Sequence, residues 1–74
     1  MTASLLDELR ARRNLATAKA IRVAAGVSQG QIARELKVNR VTVARWEDGK
    51  RTPRGDLLAA YVSLLDQLRE VTTG

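Results

Sequence analysis

The chain has 74 residues and a mass of 8.1 kDa, enough for one small core and no large enzyme pocket. Hydrophobic residues make up 45% but aromatics only 3%, with no Phe, so Leu, Val, Ile and Ala must build the core, which favours packed helices over a sandwich. Cys and His are absent, which excludes disulfides, Cys/His zinc sites, thiol nucleophiles and histidine acid–base chemistry, while a net charge of +5 makes a polyanion the first partner to consider.

Charge is unevenly placed. Residues 1–27 carry +3 and residues 28–54 carry +4, whereas residues 55–74 carry −2. No apolar run approaches the roughly 18 residues that span a bilayer, and no secretory signal is visible. The expectation is a soluble, cytoplasmic, non-enzymatic protein with no cofactor, no metal, no membrane partner and no small-molecule substrate.

In chain order, Ser4-Leu5-Leu6-Asp7 reads as a capping box that opens a first helix at Leu5, with Glu8 one turn before Arg12. Asn14 and Thr17 are poor interior helix residues, so this helix is expected over about 5–13, with a bend or break before a second stretch through Ile21 and Val23 that Gly26 ends. Continuity through Asn14 is left open. Ser28-Gln29-Gly30-Gln31 is a second capping box, opening a short helix with Ile32, Ala33 and Leu36 on its buried face. After a tight turn, Asn39 caps the next helix. Val43 and Trp46 share one face of it, Arg40, Val41, Ala44 and Arg45 project elsewhere, and Gly49 stops it. Thr52-Pro53 then reads as N-cap and first helical residue of a long helix over about 53–71. Its two apolar series, Leu57, Tyr61, Leu64, Leu68, Val71 and Leu58, Val62, Leu65, form a wide stripe. Either both rows cover the domain's own core, which is the favoured reading, or part of the stripe forms a dimer seam.

Two short helices joined by a tight turn, the second one basic, fit a helix-turn-helix at about residues 28–48. Arg22, Ala25-Gly26-Val27-Ser28-Gln29, Ile32-Ala33, Leu36, Val38-Asn39, Thr42-Val43, Trp46-Glu47, Gly49-Lys50 and Pro53-Arg54 together resemble the Cro/cI-type (XRE) helix-turn-helix family over about residues 18–58. Three departures stand out. Lys37 occupies the turn position where Gly is usual, Ala18 replaces a larger aliphatic, and one long helix replaces the last two. The resemblance implies an all-α, lambda-repressor-like domain of four to five helices occupying residues 1–74.

It also implies roles. Arg40, Val41 and Arg45 would face base edges, the arginines suited to guanine O6/N7 and the valine to a thymine methyl. Ser28 and Gln29 open the preceding helix toward a phosphate. Thr42 suits a phosphate or base contact and equally well a purely local role. Lys50, Arg51 and Arg54 would meet the DNA backbone, Arg54 alternatively the minor groove. Arg22 and Glu47 match a partly buried structural ion pair, and Trp46 reads as a core lid. The implied partner is a double-stranded DNA operator, read by a phage or bacterial repressor or Cro-type regulator. An abundance of arginine over lysine accords with a GC-rich genome of that kind. With no second domain to join two copies of a homodimer, the long C-terminal helix or the extra N-terminal helix is left as a dimer contact; the C-terminal helix, using Leu57, Leu64, Leu68 and Val71, is the expected one. An antitoxin or phage accessory protein whose C-terminal helix binds another protein is the alternative.

Overall fold

The chain is described here from a computed structural model that covers residues 4–73, the side chains of Asp7, Arg10 and Thr73 excepted. Among those residues five helices follow one another: α1 (Leu5–Ala16), α2 (Ala18–Ala24), α3 (Gln29–Leu36), α4 (Arg40–Glu47) and α5 (Gly55–Thr73). No strand occurs among them.

Side-chain caps set the starts of the central helices. The Gln31 N–H donates to Ser28 Oγ at 3.0 Å and the Ser28 N–H donates to Gln31 Oε1 at 2.8 Å, so two otherwise unpaired donors at the start of α3 are satisfied reciprocally. Asn39 opens α4 by accepting the Val41 N–H at 2.9 Å. The turn between them is closed by Lys37, which sits in the left-handed region at φ 58° and ψ 42°. Its N–H reaches Arg34 O, and the Val38 N–H reaches Ala33 O at 2.9 Å, the paired bonds of a Schellman ending. A residue with a Cβ strains in that conformation, and glycine does not. Lys37→Gly is therefore expected to stabilise the domain by about 0.5 to 1 kcal/mol, after allowance for the greater freedom of unfolded glycine. The midpoint of urea unfolding measures it, and a fall in the midpoint would contradict the strain argument.

Two helix boundaries differ from the sequence expectation. The first helix does not stop near residue 13 but runs through Asn14 to Ala16, because Asn14 is fully buried and bonded across to α5. The break falls instead at Thr17. Its Oγ1 donates to Arg13 O at 2.8 Å, and such bonding back to the preceding turn bends helices. The last helix begins at Gly55 rather than Pro53. Gly55 has φ +59°, which a right-handed helix cannot run through, and its first turn is closed by the Leu58 N–H on Arg54 O. Pro53 is buried in the connecting loop. The Asp7 arm of the expected first capping box lies outside the described side chains.

The core draws two residues from each of four helices: Ala18 and Ile21, Ile32 and Ala33, Val43 and Trp46, Tyr61 and Leu65. The two aromatic rings meet at its centre, 4.7 Å apart and tilted by 45°, a favourable offset arrangement. Leu57, Leu64 and Leu68 of α5 are partly buried against this core. The three residues expected in a dimer seam thus already pack in part against their own domain, although Leu64 also lines a shallow surface groove with Ala60 and Gln67, and Val71, the fourth, is largely exposed.

Candidate nucleic-acid interface

Successive helical residues are about 100° apart, so Arg40, Ala44, Val41 and Arg45 follow one another across a single face of α4. Val43 and Trp46 lie on the opposite face, and both are buried. Burying that pair turns Arg40, Val41 and Arg45 outward, and all three are exposed. Thr42 lies at the edge of the outward face and is partly buried. Eight residues rise about 12 Å, close to the width of the DNA major groove.

A recess flanks each end of α4. At its start, Lys19, Arg22, Ser28, Gln29, Gly30 and Arg40 line a shallow notch between α2, α3 and α4. Three of the six are cationic, and the notch is also faced by the opening turn of α3, whose partial positive charge favours an anion. At the other end, Thr42 and Arg45 share a groove with Arg51, Thr52 and Arg54. Lys50 joins Arg51 and Arg54 around the adjoining loop. Lys19 was not singled out from sequence as a site residue. The signal for it was present, since Lys19 stands three residues before Arg22 on the same helix and so shares its face.

The orientation of α4 is held from below by a compact polar network. Arg22 Nε donates to Glu47 Oε2 at 2.6 Å and Nη2 to Oε1 at 3.1 Å, while Nη1 donates to Val27 O at 2.9 Å. The side chains are only 12% and 2% exposed. Gln29 Nε2 adds a third bond to the same carboxylate at 3.0 Å, so the side chain of Gln29 is engaged with Glu47, while its expected role toward a phosphate rests on the backbone N–H groups that open α3. One carboxylate thereby ties α2, α3 and the end of α4 together. Burial by itself would raise the Glu47 carboxyl, but hydrogen bonds from Arg22 and Gln29, with the nearby charges of Arg22 and Lys19, outweigh it and hold the group below its ordinary value. The hydrogen bond to Glu47 raises Arg22 against the opposing effect of burial. Beneath the pair, burial and the charge of Glu47 push the Tyr61 hydroxyl up to about 12, so it stays neutral.

A family model described as helix-turn-helix matches residues 19–70, from the start of α2 through most of α5. The chain belongs to the helix-turn-helix family of the Cro/cI (XRE) type. As a helix-turn-helix protein it is a DNA-binding regulator. No curated protein and no solved structure matches the chain. Helix α1 lies ahead of the matched residues. Among the described residues, no helix is long and apolar enough to cross a membrane.

Proposed function

We propose that this helix-turn-helix protein is a sequence-specific regulator of double-stranded DNA, of the small repressor or Cro type found in phages and bacteria. Arg40, Val41 and Arg45 read base edges in the major groove. The observation that carries this reading is the outward face of α4, as long as the groove is wide, with a cationic recess at each end. In the first recess the Ser28 hydroxyl and the backbone N–H of Gln29, at the opening of α3, donate to one phosphate, with Lys19 beside them. In the second, Lys50, Arg51 and Arg54 neutralise the backbone across the groove, Arg54 reaching toward the minor groove. Thr42 contacts the backbone at the edge of the same face.

Selection of bound duplexes from a random pool tests the base readers. Each bidentate arginine contact discriminates by about 1 to 3 kcal/mol, so Arg40→Ala and Arg45→Ala should each lose preference at one guanine position while keeping the rest of the motif. Retention of the wild-type motif and affinity in both variants would sink the assignment. Replacing Lys50, Arg51 or Arg54 with Ala should instead weaken binding to all sequences and lower the salt slope by about one per residue. A slope unchanged in all three variants places the loop away from DNA.

A further inference from the structure

Helix α1 is amphipathic in the reverse of the usual sense. On the wheel its inward face is centred on Asn14, the one buried polar side chain among the described residues, with Ala11 and Leu15 to one side. Roughly opposite stand Leu5, Leu9 and Ala16, with Leu6 at the margin. Leu5 is 69% exposed, Leu6 71% and Leu9 49%. Three leucines within five residues, turned to solvent on a helix that lies ahead of the family match, leave an apolar strip that the domain does not cover.

The charges beside the strip indicate what covers it. Glu8 flanks its first half, Arg12 and Arg13 its second, and all three are exposed. The sign therefore reverses along the helix. A parallel copy of α1 would set acid against acid and arginine against arginine. An antiparallel copy crossing near Leu9 sets Glu8 of each chain beside Arg12 of the other, on the same edge of the strip, and closes the leucines between them. Such a surface is self-complementary, as a two-fold interface requires.

We infer that α1 is a self-association surface, through which two copies of this chain pair antiparallel about a two-fold axis near Leu9. The contact is a single 12-residue helix from each copy, well short of the roughly 1,200 Å² of a standard stable interface. The pair is accordingly weak and dependent on concentration. It places the two-fold at α1, whose leucines are exposed, in preference to α5, where Leu57, Leu64 and Leu68 pack partly against the core.

Sedimentation equilibrium of the full chain over a range of concentrations, without DNA, should show a monomer–dimer equilibrium. Leu9→Glu should weaken dimerisation by about tenfold or more, since a half-exposed leucine contributes at least that on burial. Glu8→Arg and Arg12→Glu should each weaken it, and the double swap should recover the loss. The chain has no cysteine, so Leu9→Cys can be cross-linked alone; it should form a disulfide dimer under mild oxidant faster than Val71→Cys does. These substitutions are at exposed positions, and circular dichroism should report an unchanged helix content. A monomer at every concentration up to millimolar, a dimer indifferent to Leu9→Glu and to the charge swap, or faster cross-linking of Val71→Cys would overturn the inference. Because the readout involves no DNA, that outcome would leave the base-reading assignment standing.

Discussion

Removing either partner of the Arg22–Glu47 pair alone should destabilise the domain by about 3 to 5 kcal/mol, much of what holds a small domain together. Arg22→Met leaves a carboxylate that is 2% exposed with Gln29 as its remaining hydrogen-bond donor among those described and Lys19 as a nearby charge. Glu47→Leu leaves a guanidinium whose one remaining bond among those described is to Val27 O. The double variant strands neither charge and should recover a substantial part of the loss, giving a coupling energy well above the scatter of additive sites. Denaturant unfolding of the four proteins measures it. If a single variant is too unstable to show a folded baseline, Glu47→Gln keeps the shape and reads the loss of charge alone. Strictly additive losses would mean that the contact has no energetic content.

The same pair sets an acid limit. The Glu47 carboxyl lies below its ordinary value of 4.5 in the folded state, so its contribution is complete above that value and fades as pH falls through the folded value. Glu47→Gln should flatten this part of the acid limb of the stability profile.

The second large effect is expected at Asn14. Its Nδ2 donates to Asp66 Oδ1 at 2.8 Å and to Val62 O at 3.4 Å, and its Oδ1 accepts from Arg69 Nη2 at 3.0 Å. Asn14→Leu fits the volume and removes the amide, but turns a carboxylate and a guanidinium toward an apolar side chain. A loss of about 2 to 3 kcal/mol is expected, moderated because Asp66 and Arg69 are only partly buried and regain some water. Hydrogen exchange should localise the change: α1 amides lose protection more than those of α3 and α4, and affinity for a single half-site is kept. A uniform loss of protection, or a change below about 0.5 kcal/mol, would contradict this account.

Asn14 also shows why part of the fold was hidden in the sequence. Starts and stops governed by neighbours within four residues were legible: the capping box at Ser28 and Gln31, the Asn39 cap, and the stops at Gly26 and Gly49. The continuity of α1 was not, because the groups that satisfy Asn14 lie 48 to 55 positions away and override its weak helix propensity. Periodicity likewise marked the leucines of α5 as apolar without saying what covers them. The outward face of α4 was readable, since two inward residues fix the opposite side of so short a helix. That Gln29 turns its amide to Glu47 depends on how α3 and α4 pack, which no local pattern records.

The placement of the aromatic pair gives the molecule a built-in optical gauge. Trp46 is the sole tryptophan; it is 7% exposed on the helix that carries Arg40 and Arg45, and it faces Tyr61 of α5. Its emission should be blue-shifted in the folded chain and move to the red when α4 lifts from α5. Fluorescence from this one indole thus follows the seating of α4 itself, free of overlap from any second emitter of its kind. Stopped-flow mixing with duplex can time whether that helix shifts as DNA arrives or docks already set.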